Sequence, residues 1–321
     1  MSAILVIGEL NEGVVASHTF ELLAAARSLS DAGGGDVHAL VPGDSSVGQS
    51  LFGGGADAVH VATNQLLQTE LTVDAFLPPV LSVIENTGAD IVLIAQTAFG
   101  RDFGPALAFN LKAAVAMECT GLTLDGGRLQ ATRACYGGSA RAEVKWDSSV
   151  QIVTIKPKTL DALASDDSRS GEVTEVSEVG EARVKILGTE KAEATGIRLE
   201  DAEVVVSGGR GLGEPEAFGI LEELGNLLNG ATGASRAACD LGWYPPSQQV
   251  GLTGKTVTPN LYIAVAISGA SQHMAGMSGS KNIVAINRDE DSNMVQSSRF
   301  AVIEDYKKVI PALIEEIKNL G

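Results

Sequence analysis

The chain has 321 residues, enough for two domains, and 45% of them are hydrophobic whereas only 4% are aromatic. Its 37 glycines and many small aliphatic residues favour helices packed closely on a mostly parallel sheet, which is an α/β fold. The formal net charge of −17 repels phosphate backbones and acidic membrane surfaces, so it disfavours nucleic acid as a partner.

The first half of the chain alternates short apolar runs with amphipathic stretches, a pattern typical of successive strand–helix units. The predicted strands are Ala3–Ile7, Val37–Val41, Ala58–Val61 and Asp90–Ala95, and the predicted helices are Ser17–Ser30, Val73–Glu85 and Arg101–Ala114. Period-two alternation through Thr132–Trp146 predicts a hairpin that turns at Gly137-Gly138. Gln151–Ile155 is predicted as the strand that closes this sheet.

Residues 161–182 are rich in Ser, Asp and Glu, which is typical of an exposed connection between domains. We therefore predict one domain at residues 1–190 and a second at residues 191–321. The second contains predicted strands and helices at Glu203–Val206, Glu214–Leu228, Leu261–Ile267, Ile283–Ile286, Ala301–Ile303 and Tyr306–Leu320. The predicted fold class is α/β, with two doubly wound domains and mainly parallel sheets.

The location of the protein is predicted from two missing signals. No stretch reaches the roughly 18 consecutive apolar residues of a membrane-spanning helix, and the start lacks the basic residues of a secretory signal. We therefore expect a soluble protein of the cytoplasm, or of the mitochondrial matrix if it is eukaryotic. Cys119, Cys135 and Cys239 are scattered, so we interpret them as reduced structural thiols.

A cationic stretch lies inside the acidic second half of the chain. Between residues 224 and 288, Asp240 is the only acid among four basic residues, which are Arg236, Lys255, Lys281 and Arg288. Within it an apolar run delivers Ser268-Gly269 to a helix start, where free N–H groups and the helix dipole favour an anion. The sequence thus indicates a nucleotide-like ligand. A standard NAD site is disfavoured because Glu214 stands where the third glycine of that fingerprint belongs.

The same stretch carries a longer motif. Residues 261–277 read Leu-Tyr-Ile-Ala-Val-Ala-Ile-Ser-Gly-Ala-Ser-Gln-His-Met-Ala-Gly-Met, and Ala285-Ile286-Asn287 follows. This pattern resembles the signature of the electron-transfer flavoprotein alpha subunit. Other stretches similar to the family, in family order, lie at residues 100–102, 136–142, 206–211, 233–238 and 249–257. The resemblance covers essentially the whole chain.

The resemblance implies that the cofactor is FAD and that it lies in the second domain. The residues it assigns to cofactor binding are Arg210, Ser235, Arg236, Gln249, Val250, Gly251, Leu252, Thr253, Ser268, Gly269, Ala270, Ser271, Gln272, His273, Asn287 and Asp305. In this assignment Arg210 binds a phosphate, whereas Asn287 and Asp305 bind the adenosine end through hydrogen bonds. Neither a catalytic residue nor a metal site is implied.

The flavin end matters more for redox chemistry, because reduction places negative charge around the N1–C2=O2 edge of the ring. A positive neighbour stabilises that charge. The resemblance implies that Arg236 and His273 lie near the ring, and that Thr253 offers a hydroxyl towards N5.

Three residues depart from the family pattern. They are Leu252 where Gln is common, Ala266 where Gly or Ser is usual, and Ser271 where an aliphatic residue is frequent. Leu252 lacks an amide that could form a hydrogen bond beside the flavin, which affects tuning of the potential more than binding. We expect the extra methyl of Ala266 to be tolerated on its strand.

The resemblance implies an electron carrier rather than an enzyme with its own substrate. It would accept electrons from flavin dehydrogenases and pass them to an acceptor such as a quinone oxidoreductase. Its implied partner is the beta subunit, which docks on the first domain to form a heterodimer and holds AMP or a second FAD. Two alternatives remain: a subunit of an electron-bifurcating, NADH-dependent complex with a second FAD in the beta subunit, and a non-redox nucleotide-binding module.

Overall fold

The computed structural model describes residues 3–11, 13–69, 71–136, 140–188 and 197–320. The chain divides into two units, Met1–Cys135 with Arg141–Thr189, and Tyr136–Ala140 with Glu190–Gly321. Both contain helices and mainly parallel sheets, which confirms the predicted α/β class. None of the described helices is long and apolar enough to cross a membrane.

The first unit is built around a large, mostly parallel sheet. Its strands are β1 Ala3–Ile7, β2 Leu10–Asn11, β3 Val14–Val15, β4 Val37–Pro42, β5 Ala58–Ala62, β6 Ala89–Ala95, β7 Ala114–Asp125, β8 Arg128–Cys135, β9 Ala140–Lys145, β10 Gln151–Ile155 and β11 Glu172–Val176. Its helices are α1 Ser17–Leu29, α2 Gly48–Gly53, α3 Gln65–Thr69, α4 Val73–Thr87 and α5 Ala98–Leu111, with short turns of π helix at Ser30–Gly34 and 3-10 helix at Ser45–Val47. Among the described residues the sheet has nine strands in the order β11-β5-β4-β1-β6-β10-β7-β8-β9, and β2 pairs with β3.

The central strands of this sheet are apolar on both faces, as helix-covered parallel strands must be. Every residue of β1 and β10 is buried, and all but one residue of β4 and of β6. One core cluster includes Ile4, Val6 and Leu93, and a second contains Leu5, Val92 and Ile94. Successive residues of a strand therefore belong to opposite cores, which explains the continuous apolar runs in the sequence.

The structure corrects several sequence predictions in the first unit. The helix predicted to end at Ala114 ends at Leu111, because Lys112 adopts a left-handed conformation and the chain turns into β7. Gln151–Ile155 does not close the sheet but lies between β6 and β7. The segment 161–182, predicted as a connection, contributes the edge strand β11, which pairs with β5. The strands beside the predicted hairpin turn are neighbours, whereas Gly137-Gly138 lies outside the described residues.

The second unit has a smaller sheet. Its strands are β12 Val204–Gly208, β13 Ala231–Ser235, β14 Gln249–Val250, β15 Leu261–Val265, β16 Ile283–Asn287 and β17 Phe300–Ile303. Its helices are α6 Phe218–Leu227, α7 Arg236–Asp240, α8 Ser271–Met277, α9 Asn293–Gln296 and α10 Tyr306–Leu320, with 3-10 turns at Arg210–Leu212, Pro215–Ala217 and Pro246–Gln248. Across the described part of the chain the six strands are all parallel, in the order β14-β13-β12-β15-β16-β17.

Sequence patterns locate the long elements of this unit better than the short ones. The helix predicted from Glu214 begins at Phe218, because the chain first forms a separate 3-10 turn that starts at Pro215. β13 and β14 were missed, since one is an Ala-Gly-Ser strand without bulky residues and the other has two residues. Both lie on the same side of β12 and carry predicted site residues at their ends.

Candidate functional site

The topology of the second unit singles out one edge of its sheet. From the central β12 the chain proceeds outward to β13 and β14, then returns to the other side of β12 to form β15, β16 and β17. The connections leaving β12 and β15 therefore diverge, which creates a crevice at the carboxyl ends of these two strands. Doubly wound sheets bind ligands at such a switch point.

The predicted cofactor-binding residues all lie at this carboxyl edge, at strand ends or in the loops that follow them. Arg210 follows β12, Ser235 and Arg236 lie at the end of β13, Gln249–Thr253 form β14 and its loop, Ser268–His273 follow β15, Asn287 ends β16, and Asp305 follows β17. The fold thus brings segments that are distant in sequence to one edge of one sheet.

Glycines allow the loops of this edge to pack backbone against backbone. A Cβ added to Gly209 would lie 2.2 Å from the carbonyl oxygen of Ala266, and one added to Gly276 would lie 2.4 Å from the Gly251 backbone. Gly269 has a φ of +78°, and its added Cβ would lie 2.4 Å from the Met294 nitrogen. Side chains would therefore push these loops apart. Gly276 was not predicted as a site residue, although it belongs to the motif.

Two loops of the site are joined directly. The backbone N–H of Leu252 donates to the Gln272 carbonyl at 2.7 Å, which ties the loop after β14 to α8. Beside it, Nε2 of the buried Gln249 donates to Oγ1 of the exposed Thr253 at 3.0 Å. Because the Thr253 oxygen accepts this bond, its own proton remains available to donate outwards. Gln249 therefore orients the hydroxyl that the resemblance places at the flavin.

His273 is the most buried ionisable residue of the predicted set. Its side chain is 6% exposed, and its Nε2 lies 2.9 Å from Oη of Tyr262, which is completely buried. Burial lowers the pKa of His273 to about 4, although the Val250 backbone opposes the shift. The imidazole is therefore neutral at pH 7 and supplies no positive charge. Tyr262 was not predicted as a site residue, since an aromatic residue inside an apolar strand is indistinguishable from ordinary core.

Arg236 lies at the opposite extreme of exposure. Its side chain is 67% exposed and its Nε lies 3.3 Å from Oδ2 of Asp240, one turn further along α7. Ser235 precedes this helix, and its side chain makes no capping hydrogen bond. Arg210, in the 3-10 turn after β12, is also exposed. The cations at this edge therefore face solvent, where a phosphate or a ring could approach them.

The other end of the edge is held by internal contacts. Nδ2 of Asn287 donates to the Ile267 carbonyl at 2.9 Å, so it joins the end of β16 to the loop after β15. Asp305 accepts from the Lys307 N–H at 2.9 Å and lies 3.7 Å from a guanidinium nitrogen of Arg288. A cavity of about 80 Å³ opens here, lined by Gly211, Ala266, Ile286, Asn287, Arg288, Glu304 and Tyr306.

The three departures from the family pattern occupy different environments. Leu252 is 56% exposed at the tip of its loop, and Ser271 is the exposed first residue of α8. Ala266 lies after β15 rather than within it, and its φ of +54° is left-handed. Its methyl group is therefore strained by the backbone, which the prediction of a tolerated residue on a strand did not foresee.

Comparisons with known proteins agree with this geometry. Residues 4–179 match the model of an electron transfer flavoprotein domain, and residues 198–278 match that of the electron transfer flavoprotein FAD-binding domain. The electron transfer flavoprotein subunit alpha of Thermoanaerobacterium thermosaccharolyticum is 39% identical over 98% of this chain and 97% of its own. That of Bacillus subtilis is 38% identical over 99% and 98%, respectively. The chain belongs to the electron transfer flavoprotein alpha subunit family.

Membership of this family confirms the predicted resemblance and the predicted cofactor, because the matched model in the second unit is an FAD-binding domain. It also implies a beta-subunit partner. The relatives include the protein FixB of Clostridium saccharobutylicum, which is 35% identical over 98% of this chain and 96% of its own. The matched FAD-binding segment contains most of the predicted site residues, whereas Asn287 and Asp305 lie beyond it.

Proposed function

We propose that this chain is the alpha subunit of an electron-transfer flavoprotein that carries FAD at the carboxyl edge of its second unit. In this role it takes electrons from flavin dehydrogenases and passes them to a downstream acceptor such as a quinone oxidoreductase. The observation that carries the proposal is the assembly of sixteen predicted residues, from Arg210 to Asp305, on one edge of one parallel sheet.

The residues present at this edge fit FAD. The exposed Gly211 after β12 offers backbone that a diphosphate can approach closely, and the exposed Arg210 beside it supplies a positive charge. The outward hydroxyl of Thr253 and the unpaired Nδ1 of the buried His273 suit the polar edge of a flavin. Bound FAD supplies the electron-accepting and electron-donating chemistry, and these side chains hold and orient it.

A beta subunit is the proposed partner of the first unit. The solvent side of α5 carries Phe109, whose side chain is 84% exposed. An aromatic residue in that position favours a protein contact. We propose that this helix takes part in docking the beta subunit.

The test is to produce the chain together with its beta subunit, purify the pair, and count the extracted nucleotides. We expect one FAD per heterodimer, with AMP in the partner, and reduction of the bound FAD by a flavin dehydrogenase. Two FAD per heterodimer would instead favour the electron-bifurcating complex. A stable heterodimer that retains no flavin would contradict the proposal and favour a non-redox nucleotide-binding module.

A matched pair of variants tests the location of the site. Arg210→Ala removes the exposed cation at the end of β12, whereas Arg299→Ala removes an exposed arginine just before the start of β17, at the opposite edge of the same sheet. We expect only Arg210→Ala to weaken FAD retention. Equal retention by both variants would exclude a phosphate contact of Arg210.

A further inference from the structure

A buried hydrogen bond joins Tyr262 and His273 at the proposed flavin site. Tyr262 is paired with Val205 across β12 and β15, and Ser207 lies two residues further along β12, on the same face. Tyr262 and Ser207 are both 0% exposed. Burial raises the pKa of Tyr262, and the Ser207 side chain opposes that shift, although Ser207 Oγ has no hydrogen-bond partner of good geometry among the described residues. The phenol therefore remains protonated and can donate a hydrogen bond at any working pH.

The acceptor of that hydrogen bond is set by the surroundings of His273. A neutral imidazole carries one proton, on Nδ1 or on Nε2. Nε2 faces the Tyr262 hydroxyl at 2.9 Å, whereas Nδ1 has no partner of good hydrogen-bond geometry among the described residues. A protonated phenol is a stronger hydrogen-bond donor than a neutral imidazole, and an imidazole nitrogen is the better acceptor. The Tyr262 hydroxyl therefore donates to the Nε2 lone pair, and the ring proton lies on Nδ1.

We infer that Tyr262 is a positioning residue that locks His273 as the neutral Nδ1–H tautomer by donating its hydroxyl hydrogen bond to Nε2. This inference deepens the proposed function and rests on it, because the family resemblance assigns the His273 ring to the flavin. The hydrogen bond from Tyr262 leaves the unpaired Nδ1–H as a donor of fixed orientation. A histidine that could exchange tautomers would present a donor or an acceptor in turn, and its interaction with the flavin would vary accordingly.

The first test reads the tautomer directly. The full chain, labelled with ¹⁵N-histidine, is purified with its unlabelled beta subunit, and the ring nitrogens are recorded by two-bond proton–nitrogen correlation NMR. The chain has four histidines, so a His273→Gln sample assigns the signals. We expect the wild-type His273 to show a protonated Nδ1 and an unprotonated Nε2. A protonated Nε2, or an imidazolium at pH 7, would overturn the inference.

The second test removes the Tyr262 hydroxyl that is proposed to fix the His273 tautomer. Tyr262→Phe deletes only the hydroxyl, and Tyr306→Phe is its matched control, because Tyr306 is also buried in this unit and donates to the Leu212 carbonyl at 2.8 Å. We expect Tyr262→Phe to give a mixture of His273 tautomers and roughly 2- to 10-fold weaker FAD retention, the range for one hydrogen bond. Tyr306→Phe should leave the His273 signals unchanged. Unchanged tautomers in Tyr262→Phe would refute the lock.

Flavin content and midpoint potential distinguish a failure of the proposed function from a failure of the tautomer lock. If the purified pair holds no flavin, the proposed function fails, yet the NMR signals still decide whether Tyr262 fixes the imidazole. If the pair holds FAD and its midpoint potential is the same in Tyr262→Phe as in the wild type, the tautomer of His273 does not act on the flavin, and the inference fails. A shift of the potential in Tyr262→Phe, absent from Tyr306→Phe, supports it.

Discussion

The two units contain the same kind of switch point with different contents. In the first unit the chain proceeds from β1 to β4 and β5 on one side and returns to β6 on the other, as it does around β12 in the second unit. The crevice of the first unit holds Glu9, whose carboxylate accepts from Oγ1 of Thr97 at 2.7 Å and lies 3.7 Å from Nε2 of His18. The crevice of the second unit is bounded by glycines.

This difference shows that topology offers a position for a ligand, while side chains decide whether a ligand can use it. Burial raises the pKa of Glu9 and lowers that of His18, so it favours the neutral form of both side chains. A buried carboxyl also repels phosphate when ionised. At the second switch point Gly209 packs against the Ala266 carbonyl while Gly211 is exposed, and Arg210 between them provides the opposite charge.

The largest expected effect comes from adding a side chain where Gly276 contacts the Gly251 backbone in the second unit. In Gly276→Ala the new methyl would lie 2.4 Å from the Gly251 backbone, so α8 must move away from the β14 loop. We expect a loss of roughly 3 kcal/mol in the free energy of unfolding, at the upper end for overpacking, and loss of FAD. Denaturant unfolding and flavin retention measure both effects.

The control is another helical glycine of the same unit. Gly219 lies in α6, and a Cβ added there meets nothing within 4 Å. Gly219→Ala should stabilise the protein by about 0.5–1 kcal/mol, because alanine favours helix. If both variants lose the same stability, close backbone packing does not define the site.

One buried group in each unit, His273 in the second and Glu21 in the first, should make the free energy of unfolding depend on pH with opposite sign. His273 has a depressed pKa, about 4 instead of 6.5, so the stability gained from its neutral form is present above pH 6.5 and is lost as pH falls towards 4. Burial raises the pKa of Glu21 to about 7 from 4.5, although the Lys158 N–H opposes the shift, so its stability is present below pH 4.5 and is lost as pH rises through 7.

Difference measurements isolate these groups. Relative to wild type, His273→Gln should gain about 2 kcal/mol as pH falls from 6.5 to 5, and Glu21→Gln should gain about 2 kcal/mol as pH rises from 4.5 to 6. Trp146 lies in the first unit and Trp243 in the second. Variants that keep only one of these two tryptophans therefore report by fluorescence on the unfolding of one unit at a time. Parallel pH profiles for variant and wild type would show that the group does not titrate as described.

Arg236 should have a smaller effect, on potential rather than on stability. Because it is 67% exposed and paired with Asp240, we expect Arg236→Ala to lower the reduction potential of the flavin by the equivalent of about 1 kcal/mol. Arg236→Lys should recover part of the loss, since an ammonium cannot reproduce the planar guanidinium. Reductive titration measures the potentials, with Arg299→Ala as the control from the opposite edge. Identical potentials in all four proteins would remove Arg236 from the flavin site.

The smallest effect concerns backbone strain, which both units contain. Ala266 beside the second crevice and Lys112 after α5 have φ values of +54° and +51°. Glycine relieves a left-handed conformation but increases the entropy of the unfolded chain, so each glycine variant should gain about 0.5–1 kcal/mol in the free energy of unfolding. Ala264→Gly, inside β15, should instead lose stability. A loss in Ala266→Gly would show that its methyl packs usefully against the Gly211 turn.

Sequence patterns predicted the long elements well because burial repeats along them. The apolar run of β1 and the amphipathic period of α10 match the observed bounds. The sequence patterns did not predict elements that are short or polar. β13 has no bulky side chain, and β11 lies in an acidic stretch but gains its hydrogen bonds from β5. An edge strand is stabilised by hydrogen bonds to its partner strand, and the pattern of apolar residues within the segment does not reveal that partner.

The sequence by itself determined the α/β class and the family, and it predicted a set of residues for the cofactor site, because motif residues and apolar runs are local. Only the tertiary structure decided how those residues act. Charge state depends on burial, so His273 is neutral although its type suggested a cation. Partners depend on contacts across the sheet, which is why Tyr262 at His273 and Gly251 against Gly276 are visible only once the strands and loops are assembled.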